Sequence, residues 1–144
     1  MLYWRYGEYA GIGPGAHGRL MHDGTRYALS ALRDPAAWAA RVEAQGHGLE
    51  AREMLTRHEQ AEEFLLMGMR LGEGLRLDRL AALTGHAIAA SSLAPLIEAG
   101  LLQVAGNGRL LKSTPQGRLL LNSLIAELAK GLGPAEPSHA EVSA

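Results

Sequence analysis

The chain opens on a short β-like pattern and turns helical after Asp34. Tyr9 to Ile12 can extend as a strand into a glycine loop. Gly18 to Met21 and Thr25 to Leu29 then flank His22-Asp23-Gly24, where Asp-Gly suits the positive-φ positions of a hairpin turn. Asp34-Pro35 supplies an N-cap and a proline at the first helical position. Trp38 and Val42, four apart, give the helix Ala36 to Gln45 one apolar face, and Gly46 and Gly48 stop it.

From Thr56 onward the period is helical. Thr56 and Glu59 have capping-box spacing, and Phe64, Leu65, Met67, Met69 and Leu71 trace an apolar stripe as far as Gly72-Glu73-Gly74. Leu77, Leu80, Ala81 and Leu83 predict a short helix closed by Gly85, and a third helix runs to Ala99 with Gly100 just past its end. Pro95 leaves the start of that third helix open: with Ser92 as N-cap the proline costs no bond, whereas a start near Ala87 predicts a kink. Leu101 to Ala105 and Arg109 to Lys112 alternate around Gly106-Asn107-Gly108 and predict a second hairpin. Thr114-Pro115 opens a final helix through Leu119, Leu120, Leu124 and Leu128 to Gly131. The tail 133–144 reads as disordered. Three helices, a hairpin and a helix are the order of a winged-helix module. The β-rich front does not belong to it, and the seam falls between Leu32 and Met54.

Composition sharpens this in two places. Leu and Ala dominate the apolar residues while Phe occurs once, which favours a mostly helical α+β chain. Fourteen Lys and Arg against fifteen Asp and Glu leave no field to attract nucleic acid or an anionic membrane. The absence of cysteine excludes disulfides and thiolate metal sites within these 144 residues. With no signal-like opening and no apolar run long enough for a bilayer, the expectation is a cytoplasmic protein without a transmembrane segment.

Candidate chemistry gathers at the front, where Tyr3, Trp4, Tyr6 and Tyr9 precede Gly11-Ile12-Gly13-Pro14-Gly15-Ala16-His17-Gly18. Glycines let a backbone pass close to a ligand or to another segment, and aromatics supply flat apolar walls. The letters GxGxxG occur at Gly13 to Gly18. A dinucleotide site needs a helix opening there so that its N-terminus meets the phosphates, whereas Arg19 onward reads as a strand. His17 is the loop's imidazole, suited to a hydrogen bond, a proton shuttle or an iron ligand, or to local backbone satisfaction. His58-Glu59 lacks a second histidine four residues on, since Glu62 stands there, so no zinc motif is formed. His22, His47, His86 and His139 read as solvated, and Met54, Met67 and Met69 as core filler. The helix in the DNA-reading position, Ala87 to Ala99, has no Lys or Arg, which argues against nucleic acid and for packing or partner docking.

Tyr3-Trp4, Gly7-Glu8-Tyr9 and the Gly11–Gly18 loop resemble the end of the radical S-adenosylmethionine domain of oxygen-independent coproporphyrinogen III oxidase-like proteins, most closely the HemW-type heme chaperone branch. Glu59, Glu63, Met67, Arg70, Leu71, Gly74, Leu83, Gly100, Leu101, Thr114, Gly117, Leu121, Asn122 and Leu124 resemble the appended C-terminal domain. The resemblance covers Tyr3 to about Leu128. It implies an α+β chain in which a winged-helix-like C-terminal domain (56–132) follows a β-rich remnant of a radical SAM barrel (1–33), joined by a connecting helix and linker (34–55).

The family's CxxxCxxC cluster motif has no counterpart here, nor does the His-Asn pair that commonly precedes Tyr-Trp in the chaperone branch. In the full-length family the cofactors are a [4Fe-4S] cluster, S-adenosyl-L-methionine and heme. Carried onto this sequence, the resemblance implies that Tyr3, Trp4, Gly11, Gly13, Gly15, Ala16 and His17 line the cofactor or tetrapyrrole pocket. The missing barrel, or a separate barrel chain, would complete it, and this chain alone would be inert. From a different class comes the expectation of a free-standing winged-helix module for protein interaction or regulation.

Overall fold

The computed structural model describes residues 7–136, and the chain divides into two compact units, residues 1–56 and 57–144. Helices and short strands alternate through both, so the architecture is mixed α/β rather than mostly helical.

In the first unit β1 (His17–His22) and β2 (Thr25–Ala31) pair antiparallel, with His22 opposite Thr25. The two turn residues between them, Asp23 at φ 48° and Gly24 at φ 75°, have the paired positive φ of a tight hairpin. The strand expected over Tyr9 to Ile12 reduces to a single bridge, in which the Tyr9 and Arg19 backbones exchange hydrogen bonds of 2.9 and 2.8 Å. Helix α1 (Pro35–Gln45) starts as its sequence dictates. The Asp34 carboxylate accepts from the Ala37 N–H at 2.8 Å, and Gly46, at φ 77°, closes the far end by donating to the Val42 carbonyl.

Residues 34–55 hold more than a connecting helix and linker. Leu49–Met54 forms β3, which adds antiparallel to β2 and completes a three-stranded sheet in the order β1-β2-β3. Its alternation is hidden because Glu50, Arg52, Glu53 and Met54 are exposed. Met54 is therefore a surface residue on this strand and not core filler. Ala31 is the one apolar side chain of this unit that is buried among the described residues, and α1 buries none.

The second unit carries the core. Helix α2 (Arg57–Arg70) buries Ala61, Phe64, Leu65, Met67 and Met69. It packs on α3 (Leu77–Thr84), α6 (Leu121–Lys130) and the strands β4 (Leu75–Arg76), β5 (His86–Ile88), β7 (Leu110–Ser113) and β8 (Leu132–Pro134). Gly68 sits against Leu75, where a Cβ would collide with that side chain.

Helix α4 (Ala90–Glu98) begins between the two expected starts, so Pro95 lies inside it. It ends as Gly100 predicts: Gly100, at φ 73°, donates to Ile97 and Leu101 donates to Leu96, both at 3.0 Å, the pair of reversed bonds that satisfies the last carbonyls. The hairpin of β6 (Leu102–Ala105) and β7 turns through Gly106, Asn107 and Gly108, all at positive φ. β4 joins its other side to give the order β4-β7-β6.

Two expectations for the end of the chain need correction. The final helix is broken: α5 (Pro115–Arg118) is capped by Thr114, and the backbone leaves helical geometry at Leu120 (φ −116°, ψ 26°) before α6 resumes. Gly117, buried with no room for a Cβ beside the Leu101 carbonyl, holds α5 against the chain, while Leu119 stays 85% exposed. The tail does not begin at 133 either, because β8 pairs with β5 and Ala135 donates to the Gly85 carbonyl.

Candidate functional site

A pocket of about 330 Å³ lies within the first unit, between the glycine loop, the sheet and α1. Of the residues expected at a cofactor wall, Gly11, Gly13, Ala16 and His17 line it. Gly15 does not: a Cβ there would face the Arg33 side chain at 3.6 Å. Tyr3 and Trp4 lie outside the described residues.

The loop is stitched to the end of β2. Gly15 donates to the Leu32 carbonyl and Ala31 donates to the Ala16 carbonyl, both at 2.8 Å. Its glycines serve the backbone's own packing. A Cβ on Gly11 would enter the His17 backbone, and one on Gly18 would stand 3.1 Å from the Tyr9 carbonyl oxygen, so the two segments touch with nothing between them. Gly13, at φ 100°, has open space around its Cβ position and needs glycine for its conformation. The result is a stiff rim that holds the exposed His17 at the start of β1.

The opposite wall is α1 and the turn after it, which the residue pattern did not mark as a site. Trp38 and Val42 supply apolar surface from the helix, and His47, exposed as expected, also lines the pocket. Gly48 is buried because a Cβ on it would fall inside the Trp38 indole. The available signal was the pairing of Trp38 with a Gly-His-Gly stop that begins eight residues later, and its meaning depends on β3 folding back. Leu29, Ala31 and Leu49 form the floor. The pocket is thus mostly apolar with two imidazoles on it, a composition suited to a flat ring and a few directed polar contacts.

His139 lies outside the described residues; the other histidines sit in local pairs, with His22 and His58 exposed and His86 half-buried rather than solvated. His22 lies 3.4 Å from Asp23, His58 lies 3.4 Å from Glu62 with the His86 ring 5.5 Å away, and His86 Nδ1 is 3.1 Å from the Thr84 carbonyl. Among the described residues no cluster of three or more His, Asp or Glu has metal-holding geometry. Arg76 and Asp78, at the start of α3, form an exposed ion pair. The hydrogen bond from Arg76 holds the Asp78 carboxyl below its ordinary value, and the same contact raises the guanidinium. No helix among the described residues is long and apolar enough to cross a membrane.

Residues 55–120 match the HemN C-terminal domain, and their first residue falls next to the boundary between the two units. Radical S-adenosyl methionine domain-containing protein 1, mitochondrial, from Bos taurus is 34% identical over 92% of this chain and 32% of its own length. Heme chaperone HemW from Escherichia coli is 29% identical over 85% of this chain and again 32% of its own length. The solved structure of coproporphyrinogen III oxidase (HemN) from Escherichia coli, a radical SAM enzyme, superposes with a TM-score of 0.60 at 19% identity, covering 85% of this chain and 28% of that one. The chain spans about a third of the length of the relatives it matches.

Proposed function

We propose that this chain is the C-terminal portion of a HemN/HemW-type radical S-adenosylmethionine protein, that it closes the tetrapyrrole side of that protein's barrel in heme metabolism, and that it is inert without the barrel; the match of residues 55–120 to the HemN C-terminal domain and the similarity to the mitochondrial and HemW relatives support this reading. The remaining two thirds of the family's length would bring S-adenosylmethionine and the iron-sulfur cluster, whether joined to this chain or supplied by a separate barrel chain. The cluster does not fit this chain's own residues, which include no thiolate. A tetrapyrrole edge does fit the pocket: Trp38 and Val42 offer apolar wall, and His17 offers an imidazole from a stiff loop.

The observation that carries this reading is the contrast between the units. The second has a full apolar core, whereas among the described residues the first buries one apolar side chain, Ala31, on a three-stranded sheet. A sheet that stable folding would normally cover is what the end of a larger barrel leaves when described by itself. In this reading 1–33 is the barrel's last strand and loop, β3 extends it, and 56–132 is a winged-helix-like cap that docks on protein rather than nucleic acid. The cattle relative is named as mitochondrial, so the cytoplasmic expectation drawn from the sequence does not extend to every member of the family.

Titration of the purified chain with hemin tests the proposal. A saturable Soret shift at one equivalent is expected, with a changed peak position in His17→Ala. An unshifted Soret band at excess protein would overturn it and favour a free-standing interaction module.

A further inference from the structure

The pocket has a second imidazole whose role no feature of the family assigns, and the structure goes to some length to hold it. His47 sits between two glycines in the turn that joins α1 to β3. Gly46 fixes the entry through its positive φ and its bond to Val42. Gly48 fixes the exit, being pressed on Trp38 while its carbonyl accepts from the Leu32 N–H at 3.0 Å. Arg41, one α1 turn back, donates from its guanidinium to the Leu49 carbonyl at 2.9 Å. An exposed side chain contributes little to folding, so a turn tied down this thoroughly pre-organises His47 for something outside the chain.

The ring's own hydrogen bond says what that is. The Leu49 N–H donates to His47 Nδ1 at 3.3 Å, so Nε2 carries the proton of the neutral ring and is the donor this pocket-lining residue has to offer. With Nδ1 accepting and Nε2 protonated, the neutral ring offers no free nitrogen lone pair to iron. His17, across the pocket, carries no such constraint among the bonds described.

We infer that His47 is an acceptor-binding residue of this pocket, whose Nε2–H receives a carboxylate carried on the edge of the planar ring that the pocket admits. The inference rests on the tetrapyrrole reading above and adds a division of labour: His17 faces the ring, and His47 reads its acidic substituent. The pocket's volume lies near the small end for ligand sites, which suits one edge of a macrocycle and the side chain it bears.

Hemin and hemin dimethyl ester differ in that acidic group and share the ring, so titrating the full chain with each separates the two statements. The wild-type chain should bind hemin roughly tenfold or more tightly than the ester, the range of a hydrogen bond to a charged group. His47→Ala should erase the preference by weakening hemin alone while leaving the Soret position unchanged. His47→Gln, which keeps an N–H donor, should retain part of it. Equal affinities for the two porphyrins in the wild type, or an undiminished preference in His47→Ala, would overturn the role of His47 and leave the tetrapyrrole reading standing. Failure of the wild type to bind either porphyrin would overturn both.

Discussion

Leu65→Ala is the perturbation that tests where this chain keeps its stability. Leu65 is fully buried on α2, the helix that meets α3, α6 and four of the short strands. Removing it deletes buried methyl groups and leaves a cavity in a core whose other members, Leu75, Leu80 and Leu128 among them, are also fully buried, so the surroundings can only partly fill it. Leucine-to-alanine changes at sealed sites cost about 2–5 kcal/mol, and the complete burial here places the expected loss near about 3 kcal/mol. At roughly 0.05–0.15 kcal/mol per residue, residues 57–136 should be stable by about 4–12 kcal/mol, so the change removes a quarter or more of the total.

For a domain of this size each kcal/mol moves the melting temperature by roughly 4–8 °C, which converts the loss to about 12–24 °C. The assay is thermal unfolding followed by circular dichroism at the helical minimum, a signal that comes mostly from α2 to α6. Leu119→Ala is the internal control, because Leu119 is 85% exposed at the break between α5 and α6 and its loss should stay within about 0.5 kcal/mol. A shift below about 4 °C for Leu65→Ala, or one equal to that of Leu119→Ala, would refute the argument that α2 is the centre of the core.

Two further outcomes follow from local geometry. Thr114 Oγ1 accepts from the Gly117 N–H at 3.0 Å and donates to the Gly100 carbonyl at 2.6 Å, so Thr114→Ala should cost about 1–2 kcal/mol by chemical denaturation, against a few tenths for Thr114→Ser. Asp78 titrates below its ordinary value because Arg76 hydrogen-bonds it; a lowered folded-state value means its contribution is present above about pH 4 and is lost as pH falls through the folded value. The pair is exposed, so Asp78→Asn should lower the melting temperature only slightly at neutral pH and not at all once pH falls below the folded value, which flattens the acid limb; a shift of equal size at every pH would contradict the assignment.

The residue pattern read well wherever the deciding chemistry is local. Asp34-Pro35 and Thr114-Pro115 start helices because a side-chain oxygen and a missing N–H act within one turn. Gly46, Gly85 and Gly100 end them because positive φ is inexpensive only there. Asp23-Gly24 and Gly106-Asn107-Gly108 turn hairpins for the same reason. Gly11, Gly13, Ala16 and His17 come together along one pocket, and Gly15 does not, because the crowding of consecutive residues is local.

What the chain order does not contain is the identity of remote partners. Strands β3, β4, β5 and β8 are short, and β5 pairs with β8 across more than forty residues, so their extended backbone is set by a ladder and not by propensity. Beside the break before α6, the backbone of Leu101 packs on Gly117, a contact between segments far apart in the chain. The second wall of the pocket follows the same rule: Trp38 and His47 face the glycine loop only because β3 returns along β2, and hydrogen bonds between distant backbones decide that return. Sequence alone determined the caps, the turns and one wall; tertiary pairing decided the edges, the break and the wall opposite, because a short strand or a bare imidazole has no meaning until its neighbour is in place.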